Sequence, residues 1–175
     1  MKKILVIVDM QRDFTTGVLG NAECAAAIPE VVKVVAEGNY DEIVLTKDTH
    51  DQTYLHTQEG KYLPVEHCIK GTDGWKLDKD VAAALEGKAY TPVEKLTFGS
   101  VALPGMIEKA AGGEEFCVEL IGLCTDICVV SNALLIKAAF PEVPIAVDSA
   151  CCAGVTPEKH EAALETMRSC QIDVY

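Results

Sequence analysis

The sequence predicts a three-layer α/β/α fold of the Rossmann-like kind, with a central, mostly parallel sheet between two layers of helices. Short runs rich in β-branched residues alternate with helical patterns along the whole chain. Most connections are short, which favours right-handed crossovers between parallel strands. Because its 175 residues contain no linker and no internal repeat, we expect one domain over residues 1–175.

The first half of the chain is predicted to supply two strands, one long helix and a polar segment. Residues 4–9 form a strand by their β-branched content, and residues 42–47 form the second strand. Residues 21–38 are predicted as a helix, because Asn21 is a typical cap and Gly38 a typical stop. Residues 48–74 have no regular period, and so long a segment within a compact domain is usually functional.

The second half is predicted to alternate helices with strands. The elements are a helix over 77–86 ended by Gly87, a strand over 89–94, a helix over 103–111 entered through Pro104, a strand over 116–123, a helix over 128–139, a strand over 144–147, a helix over 157–168 and a strand over 172–175. Thr156 is the expected cap of the last helix, since Pro157 suits a first turn.

Composition excludes several classes of function. The formal charge of −12 argues against nucleic-acid binding, which needs a basic face. The apolar run of residues 4–8 is too short for a membrane span or a signal sequence, so we expect a cytoplasmic protein without membrane contact. Without a secretory context, the eight cysteines are expected to be reduced. Five of them are predicted to be small buried hydrophobes: Cys24, Cys117, Cys151, Cys152 and Cys170.

Cys128 differs from these because it follows a tight polar turn after a buried strand. Thr125 or Asp126 is the expected helix cap, which places Cys128 in the first turn. There the helix dipole favours a thiolate, and free backbone N–H groups favour an oxyanion. The alternative is an ordinary buried cysteine at the start of a helix.

Two charged residues also lie at the ends of predicted strands. Asp9 follows five apolar residues and Lys95 closes the third strand, and ligands of such sheets bind at the carboxyl ends of strands. Asp9 could take the thiol proton of Cys128, and Lys95 could hold the developing negative charge. A structural Asp–Lys pair at the sheet edge is the alternative.

A candidate metal site follows the second strand. Asp48 and His50 are alternate residues, so that their side chains can face the same side, and His67 follows in the polar segment. One carboxylate and two histidines leave open positions, as in catalytic metal sites. His56 is a further ligand or a pocket residue, while a loop of solvated histidines is the alternative. His160 is predicted to be a solvated helix residue.

Five short motifs, in order, resemble the isochorismatase-like cysteine hydrolases, and within them the nicotinamidases. They are Asp9-x-Gln11-x-Asp13-Phe14, Asp48-x-His50, His67-Cys68-x-x-Gly71-Thr72, Lys95-x-x-Phe98 and Gly122-x-x-Thr125-Asp126-x-x-Cys128. The resemblance spans nearly the whole chain and implies the isochorismatase-like hydrolase fold. It also implies a homo-oligomer, either a dimer or a tetramer.

The resemblance implies a catalytic triad of Asp9, Lys95 and Cys128, and a divalent metal held by Asp48, His50 and His67, with His56 at a position that some nicotinamidases use. Zinc is the expected metal, with iron or manganese as alternatives. A cis peptide bond before Cys124 is implied as well, together with an oxyanion site made by the backbone N–H groups of Cys124 and Cys128. The implied reaction splits a small amide through a thioester and releases ammonia.

The substrate pocket departs from the nicotinamidase pattern in one respect. Phe14 supplies one ring wall, but nicotinamidases commonly carry an aromatic residue shortly before the histidine that corresponds to His67. Leu63 or Pro64 lies near that point here, with Tyr62 further back. The histidine cluster favours nicotinamide as the leading substrate, whereas the missing aromatic residue favours a different one. Another small amide, N-carbamoyl or ureido compound is the first alternative, and a ligand-binding or thiol-redox protein without turnover is the distant one.

Overall fold

A single six-stranded sheet forms the centre of the protein, as a computed structural model of residues 1–175 describes it. The strands are β1 (Lys2–Val8), β2 (Glu42–Asp48), β3 (Thr91–Lys95), β4 (Phe116–Leu123), β5 (Ile145–Ala153) and β6 (Asp173–Val174). Their order is β3-β2-β1-β4-β5-β6, and every neighbouring pair is parallel. The chain thus reverses direction across the sheet between β1 and β4, where such folds open a crevice for ligands.

Helices cover both faces of this sheet. They are α1 (Arg12–Thr15), α2 (Ala22–Glu37), α3 (Gln58–Tyr62), α4 (Lys79–Ala84), α5 (Leu103–Ala111), α6 (Val130–Ala139) and α7 (Pro157–Ser169). Alternate residues of β1 separate two apolar cores, because side chains along a strand point to opposite faces. Ile4 and Val6 pack with α5, α6 and α7, whereas Leu5 and Ile7 pack with α2 and α4. The predicted three-layer architecture is confirmed. None of the helices is both long and apolar enough to span a bilayer.

The predicted elements are all present, and some bounds differ. The predictions over 103–111 and 116–123 match α5 and β4 residue for residue. The helix predicted over 77–86 is shorter, because Asp78 caps α4 by accepting a hydrogen bond from the N–H of Asp80. The strand predicted over 144–147 continues to Ala153, because Asp148 and Ser149 interrupt the apolar pattern without ending the strand. The segment 48–74 contains a 3-10 turn (Tyr54–His56) and α3.

One glycine lets β4 approach β1 closely beside the crevice. Gly122 has φ of 120°, a region that favours glycine. A Cβ atom there would lie 2.1 Å from the carbonyl oxygen of Val8, directly before Asp9. The residue that follows β1 and the turn that follows β4 are therefore held against each other.

Candidate active site

Asp9, Lys95 and Cys128 meet at the carboxyl end of the sheet. The Nζ atom of Lys95 lies 2.6 Å from Oδ2 of Asp9 and 3.5 Å from Sγ of Cys128. All three are almost completely shielded from solvent. Since β1, β3 and β4 are parallel, the residues that follow them reach the same edge of the sheet. The structure thus brings together the three residues in which the sequence predicted a catalytic triad.

The charges of this trio are set by burial and by each other. Burial raises the pKa of Asp9, while the Lys95 ammonium opposes that rise. The remaining carboxylate oxygen of Asp9, Oδ1, accepts a hydrogen bond of 2.7 Å from the Thr46 hydroxyl. Burial alone would lower the pKa of Lys95, but the charges of the Asp9 and Asp48 carboxylates hold it above its ordinary value. Lys95 is therefore a firmly protonated cation between two acidic groups.

Cys128 lies in a π-helical turn, Thr125–Val129, that precedes α6. The cap residue is Cys124, not Thr125 or Asp126 as expected, because the N–H groups of Ile127 and Val129 both donate to the Cys124 carbonyl. The peptide bond between Leu123 and Cys124 is cis. The Cys124 backbone N–H donates to no group of the chain and remains available to a ligand.

Two effects act on the protonation of Cys128 in opposite directions. We expected the turn to favour a thiolate, but burial and the nearby Asp9 carboxylate raise the pKa of Cys128 well above the ordinary value of a thiol. The positive charge of Lys95 opposes this rise without overcoming it. Desolvation disfavours the charged form of a thiol, so burial favours the neutral thiol of Cys128 beside Asp9.

Asp48, His50, Glu59 and His67 form a compact set of ligand atoms that lie within 4.8 Å of one another. The Nε2 atom of His50 lies 3.0 Å from Oδ2 of Asp48 and 3.7 Å from Oε1 of Glu59. The corresponding distances from Nε2 of His67 are 3.4 and 3.6 Å. Four ligands of a tetrahedral ion at zinc–ligand distances lie about 3.3–3.6 Å apart. The set therefore fits a divalent cation, which would also offset its two carboxylates.

His56 does not belong to this set, which corrects the prediction of a further ligand there. The 3-10 turn leaves His56 exposed. The helix that follows it carries Glu59 to the ligand set instead. Sequence reasoning missed Glu59, although Thr57 gave a usable signal: its side chain caps α3 by accepting from the N–H of Gly60.

The motif Asp9-x-Gln11-x-Asp13 braces the metal-ligand set from a distance. Gln11 accepts the N–H of Asp48 at 2.7 Å and donates to the carbonyl oxygen of the same residue at 2.8 Å. Asp13 accepts the N–H of Cys68 at 2.8 Å, immediately after His67. Gln11 and Asp13 therefore fix the backbone at Asp48 and directly after His67.

Asp48 joins the metal-ligand set to the trio. Its Oδ2 atom faces the two histidines, while its Oδ1 atom lies 3.2 Å from Nζ of Lys95. Burial raises the pKa of Asp48, but hydrogen bonds from His50 and His67 and the charge of Lys95 hold it below its ordinary value overall. A single ionised carboxylate thus serves both groups of residues.

One cavity of 240 Å³ opens onto both groups. Its walls include Cys124 and Cys128 together with Asp48, Glu59 and His67. The two expected pocket residues, Phe14 and Leu63, line it as well. Phe14 meets the ring of His67 edge to face at 5.6 Å. The remaining lining residues are Leu19, Asn21, Phe98, Ile127 and Val155.

Two minor expectations need correction. His160 is not a solvated helix residue: it is half-buried, and its Nδ1 atom shares a hydrogen bond of 2.8 Å with the Thr125 hydroxyl. Cys117 and Cys170 are only half-buried, whereas Cys24, Cys151 and Cys152 are buried as expected. All eight cysteines are free thiols.

This fold and site define the class of protein, a doubly wound α/β protein with a candidate active site at the switch of strand order. The sequence model of the isochorismatase domain matches residues 3–175, and the chain belongs to the isochorismatase family.

Similar proteins agree with this assignment. The isochorismatase family protein PncA of Bacillus subtilis (strain 168) is 30% identical over 145 residues, 77% of this chain and 78% of that protein. The pyrazinamidase/nicotinamidase of Streptococcus mutans UA159 is 25% identical, covers 99% of this chain and 100% of its own, and has a TM-score of 0.84. The pyrazinamidase of Pyrococcus horikoshii in complex with zinc is 25% identical, and the match covers 100% of this chain and 99% of that one, with a TM-score of 0.77. Family and neighbours indicate an amidohydrolase.

Proposed function

We propose that this protein is a metal-assisted nicotinamidase, which converts nicotinamide and water into nicotinate and ammonia. The observation that carries the proposal is the shared cavity, which is lined both by Cys128 and by three of the metal-ligand candidates, Asp48, Glu59 and His67. A small planar amide can lie across it with its ring towards the metal ligands and its carboxamide at the sulfur. The nicotinamidase and pyrazinamidase activities named for the similar structures support this choice of substrate.

The first half of the reaction forms a thioester. Asp9 takes the thiol proton, and the sulfur of Cys128 attacks the amide carbon. The backbone N–H groups of Cys124 and Cys128 receive the oxyanion of the tetrahedral intermediate. Lys95, fixed as a cation, stabilises the charge that moves from sulfur to oxygen. The proton held by Asp9 then passes to the leaving nitrogen, and ammonia departs.

The second half reverses the roles. Asp9 accepts a proton from water, which adds to the thioester carbonyl at the same oxyanion site. Collapse of this intermediate breaks the C–S bond and releases nicotinic acid, which loses its proton to water to give nicotinate. The proton held by Asp9 returns to the sulfur of Cys128. The burial that raises the pKa of Asp9 suits this alternation, since a carboxylate with a raised pKa both accepts and returns a proton more readily near neutral pH.

Asp48, His50, Glu59 and His67 would hold the metal ion, and we propose zinc, with iron or manganese as alternatives. When bound, the ion supplies a Lewis-acidic position for the ring nitrogen of the substrate, which orients the carboxamide towards Cys128. The zinc complex of the Pyrococcus horikoshii pyrazinamidase supports the choice of metal.

A related small amide or ureido compound is the second candidate, favoured by Leu63 in place of the expected aromatic wall. Charge argues against its anionic members. The cavity lining carries two carboxylates, Asp48 and Glu59, and no cationic side chain apart from the histidine. The nearby Lys95 is already shared between Asp9 and Asp48. An N-carbamoyl amino acid would thus bring a carboxylate that meets no lysine or arginine in the lining, whereas nicotinamide brings none.

Three further properties belong to the proposal. We expect a single domain, a cytoplasmic location and a homo-oligomer, either dimer or tetramer. Eight free thiols suit a reducing compartment. Mass photometry of the purified protein would decide its oligomeric state.

The experiment that tests the function is ammonia release from nicotinamide, with and without a chelator. Release that stops with chelator and returns with zinc is the expected result. A metal-loaded, folded protein that releases ammonia from N-carbamoyl amino acids but not from nicotinamide would overturn the choice of substrate. Release that persists in metal-free protein would overturn the role of the metal.

A further inference from the structure

The last long helix contacts the π-helical turn Thr125–Val129, called the nucleophile turn below, through the side chain of His160. Helix α7 begins after Thr156, whose hydroxyl accepts the N–H of Lys159. One turn along, His160 shares its hydrogen bond of 2.8 Å with Thr125, and the imidazole tautomer decides which partner donates. Thr125 is completely buried and directly follows Cys124. His160 is absent from the lining of the active-site cavity.

Close packing surrounds this hydrogen bond. The carboxylate of Asp126 accepts the N–H of Val155 at 3.0 Å, so the turn and the segment before α7 are linked twice. A Cβ atom on Gly154 would lie 2.9 Å from the backbone nitrogen of His160 and 3.0 Å from Oδ1 of Asp126. The helix start thus lies directly against the turn. Within this contact, His160 is the residue that hydrogen-bonds to the buried side chain of Thr125.

We propose that His160 is a positioning residue, which acts through Thr125 to fix the backbone N–H groups of Cys124 and Cys128 at the oxyanion. The inference rests on the proposed acyl-transfer function of Cys128. Oxyanion donors work only when they are held at the place where negative charge develops. Thr125 lies between these two donors in the chain, so loss of its tether lets the spacing of the N–H groups relax. The histidine itself touches neither substrate nor sulfur.

Kinetics of variants give the first test. His160→Ala should lower kcat for nicotinamide by about tenfold with little change in KM, less than the ~100-fold or more caused by complete loss of an oxyanion donor. His160→Asn should recover most of the rate, because its amide places a polar atom where Nδ1 lies. Thr125→Val should match His160→Ala, and the double variant should be no slower than either. Glu161→Ala, an exposed neighbour on α7, is the control.

Binding of pyridine-3-carbaldehyde gives a second test that needs no turnover. Sulfur of Cys128 bonds to the aldehyde carbon, the C=O π pair moves to oxygen, and the thiol proton passes to Asp9 or to that oxygen. The product is a thiohemiacetal whose oxygen occupies the oxyanion site. Calorimetry should show about tenfold weaker binding to His160→Ala, and near-normal binding to His160→Asn.

The outcomes separate the two proposals. If wild-type protein binds the aldehyde but does not hydrolyse nicotinamide, the nicotinamidase assignment fails, and a weaker affinity of His160→Ala still supports positioning. If wild-type protein is active and His160→Ala, folded by circular dichroism, equals it in kcat and aldehyde affinity, positioning is overturned. A loss that His160→Asn does not recover would also overturn it. Wild-type protein that neither binds the aldehyde nor hydrolyses nicotinamide would refute both proposals.

Discussion

The nucleophile turn and the metal-ligand set are neighbours in space but are built in opposite ways. The turn is one continuous piece, and its backbone is closed by local hydrogen bonds to the Cys124 carbonyl. The metal-ligand set gathers residues from the end of β2, from α3 and from the loop beyond it. Its backbone is braced by Gln11 and Asp13, which lie 37 and 55 residues from their partners. The backbone of the turn is thus closed mainly by local hydrogen bonds, whereas that of the metal-ligand set is held by distant side chains.

The largest expected effect comes from removal of the Cys128 sulfur, which abolishes the reaction at the turn but leaves the metal-ligand set intact. Cys128→Ala should lower ammonia release by at least about 1,000-fold, because no other group can form the thioester. Metal content and melting temperature should remain those of wild type. Cys170→Ala, at the far end of α7, is the matched control. Retained ammonia release in Cys128→Ala would remove the nucleophile assignment.

Loss of the Glu59 carboxylate should weaken metal binding and leave the nucleophile turn intact. Glu59→Gln removes one of two ligand charges, so zinc affinity should fall by at least about tenfold, as measured by competition with a chelator. His56→Ala, an exposed histidine three residues away, should bind zinc like wild type. His50→Ala should lose zinc more severely than Glu59→Gln. If His56→Ala lost zinc and Glu59→Gln kept it, the ligand set derived from the structure would be wrong.

Gln11→Ala tests whether the distant brace matters. It leaves the buried N–H and carbonyl groups of Asp48 without partners, which costs roughly 1–3 kcal/mol of stability. Zinc affinity should fall by about tenfold, as is typical when support for a metal ligand is lost. The iodoacetamide reactivity of Cys128 in metal-free protein is expected to change less than zinc affinity does. An equal loss in both measurements would mean that the two regions are not built separately.

The pH dependence of Cys128 alkylation tests the raised pKa of the thiol in the nucleophile turn. Burial and Asp9 raise the pKa of this thiol above the ordinary 9.0, so the thiolate fraction is small at neutral pH. In metal-free protein, the iodoacetamide rate should rise by about tenfold per pH unit and continue to rise beyond pH 9. The urea-unfolded protein should level off in the ordinary range. A plateau near pH 7 in the folded protein would instead indicate a thiolate at rest.

The smallest expected effect is at the cavity wall between the two regions. Leu63→Trp restores an aromatic wall, and one aromatic contact contributes about 0.5–1.5 kcal/mol. KM for nicotinamide should therefore fall by about two- to tenfold, with kcat almost unchanged. Tyr62→Ala, whose side chain is 84% exposed, should leave both constants unaltered. A higher KM in Leu63→Trp would show that the wall is already filled to its limit.

Much of the site was predictable from the sequence because strand ends are a property of local pattern. Local pattern located β1, β3 and β4, and parallel strands bring their carboxyl ends to one edge, so Asp9, Lys95 and the turn that carries Cys128 were expected there. The resemblance to the isochorismatase-like hydrolases then implied that the three form a triad. Asp48 and His50 followed from alternation along β2. In the same way, Asn21 and Thr156 were recognisable as helix caps, because a cap depends only on its next few residues.

Tertiary structure decided the rest. The choice of Glu59 over His56 depends on how a 3-10 turn and α3 are oriented against Asp48, which no local pattern encodes. The contact of His160 with Thr125 joins α7 to a turn 35 residues earlier, and only packing of the helix onto the sheet creates it. The pKa of Cys128 depends on burial and on a neighbouring charge, both summed over the folded molecule. The sequence by itself determined which chemical groups are present and at which edge of the sheet they emerge, since these follow from local pattern. Only the tertiary structure decided which of them touch, and in what state of charge, because distance and solvent exposure are properties of the whole fold.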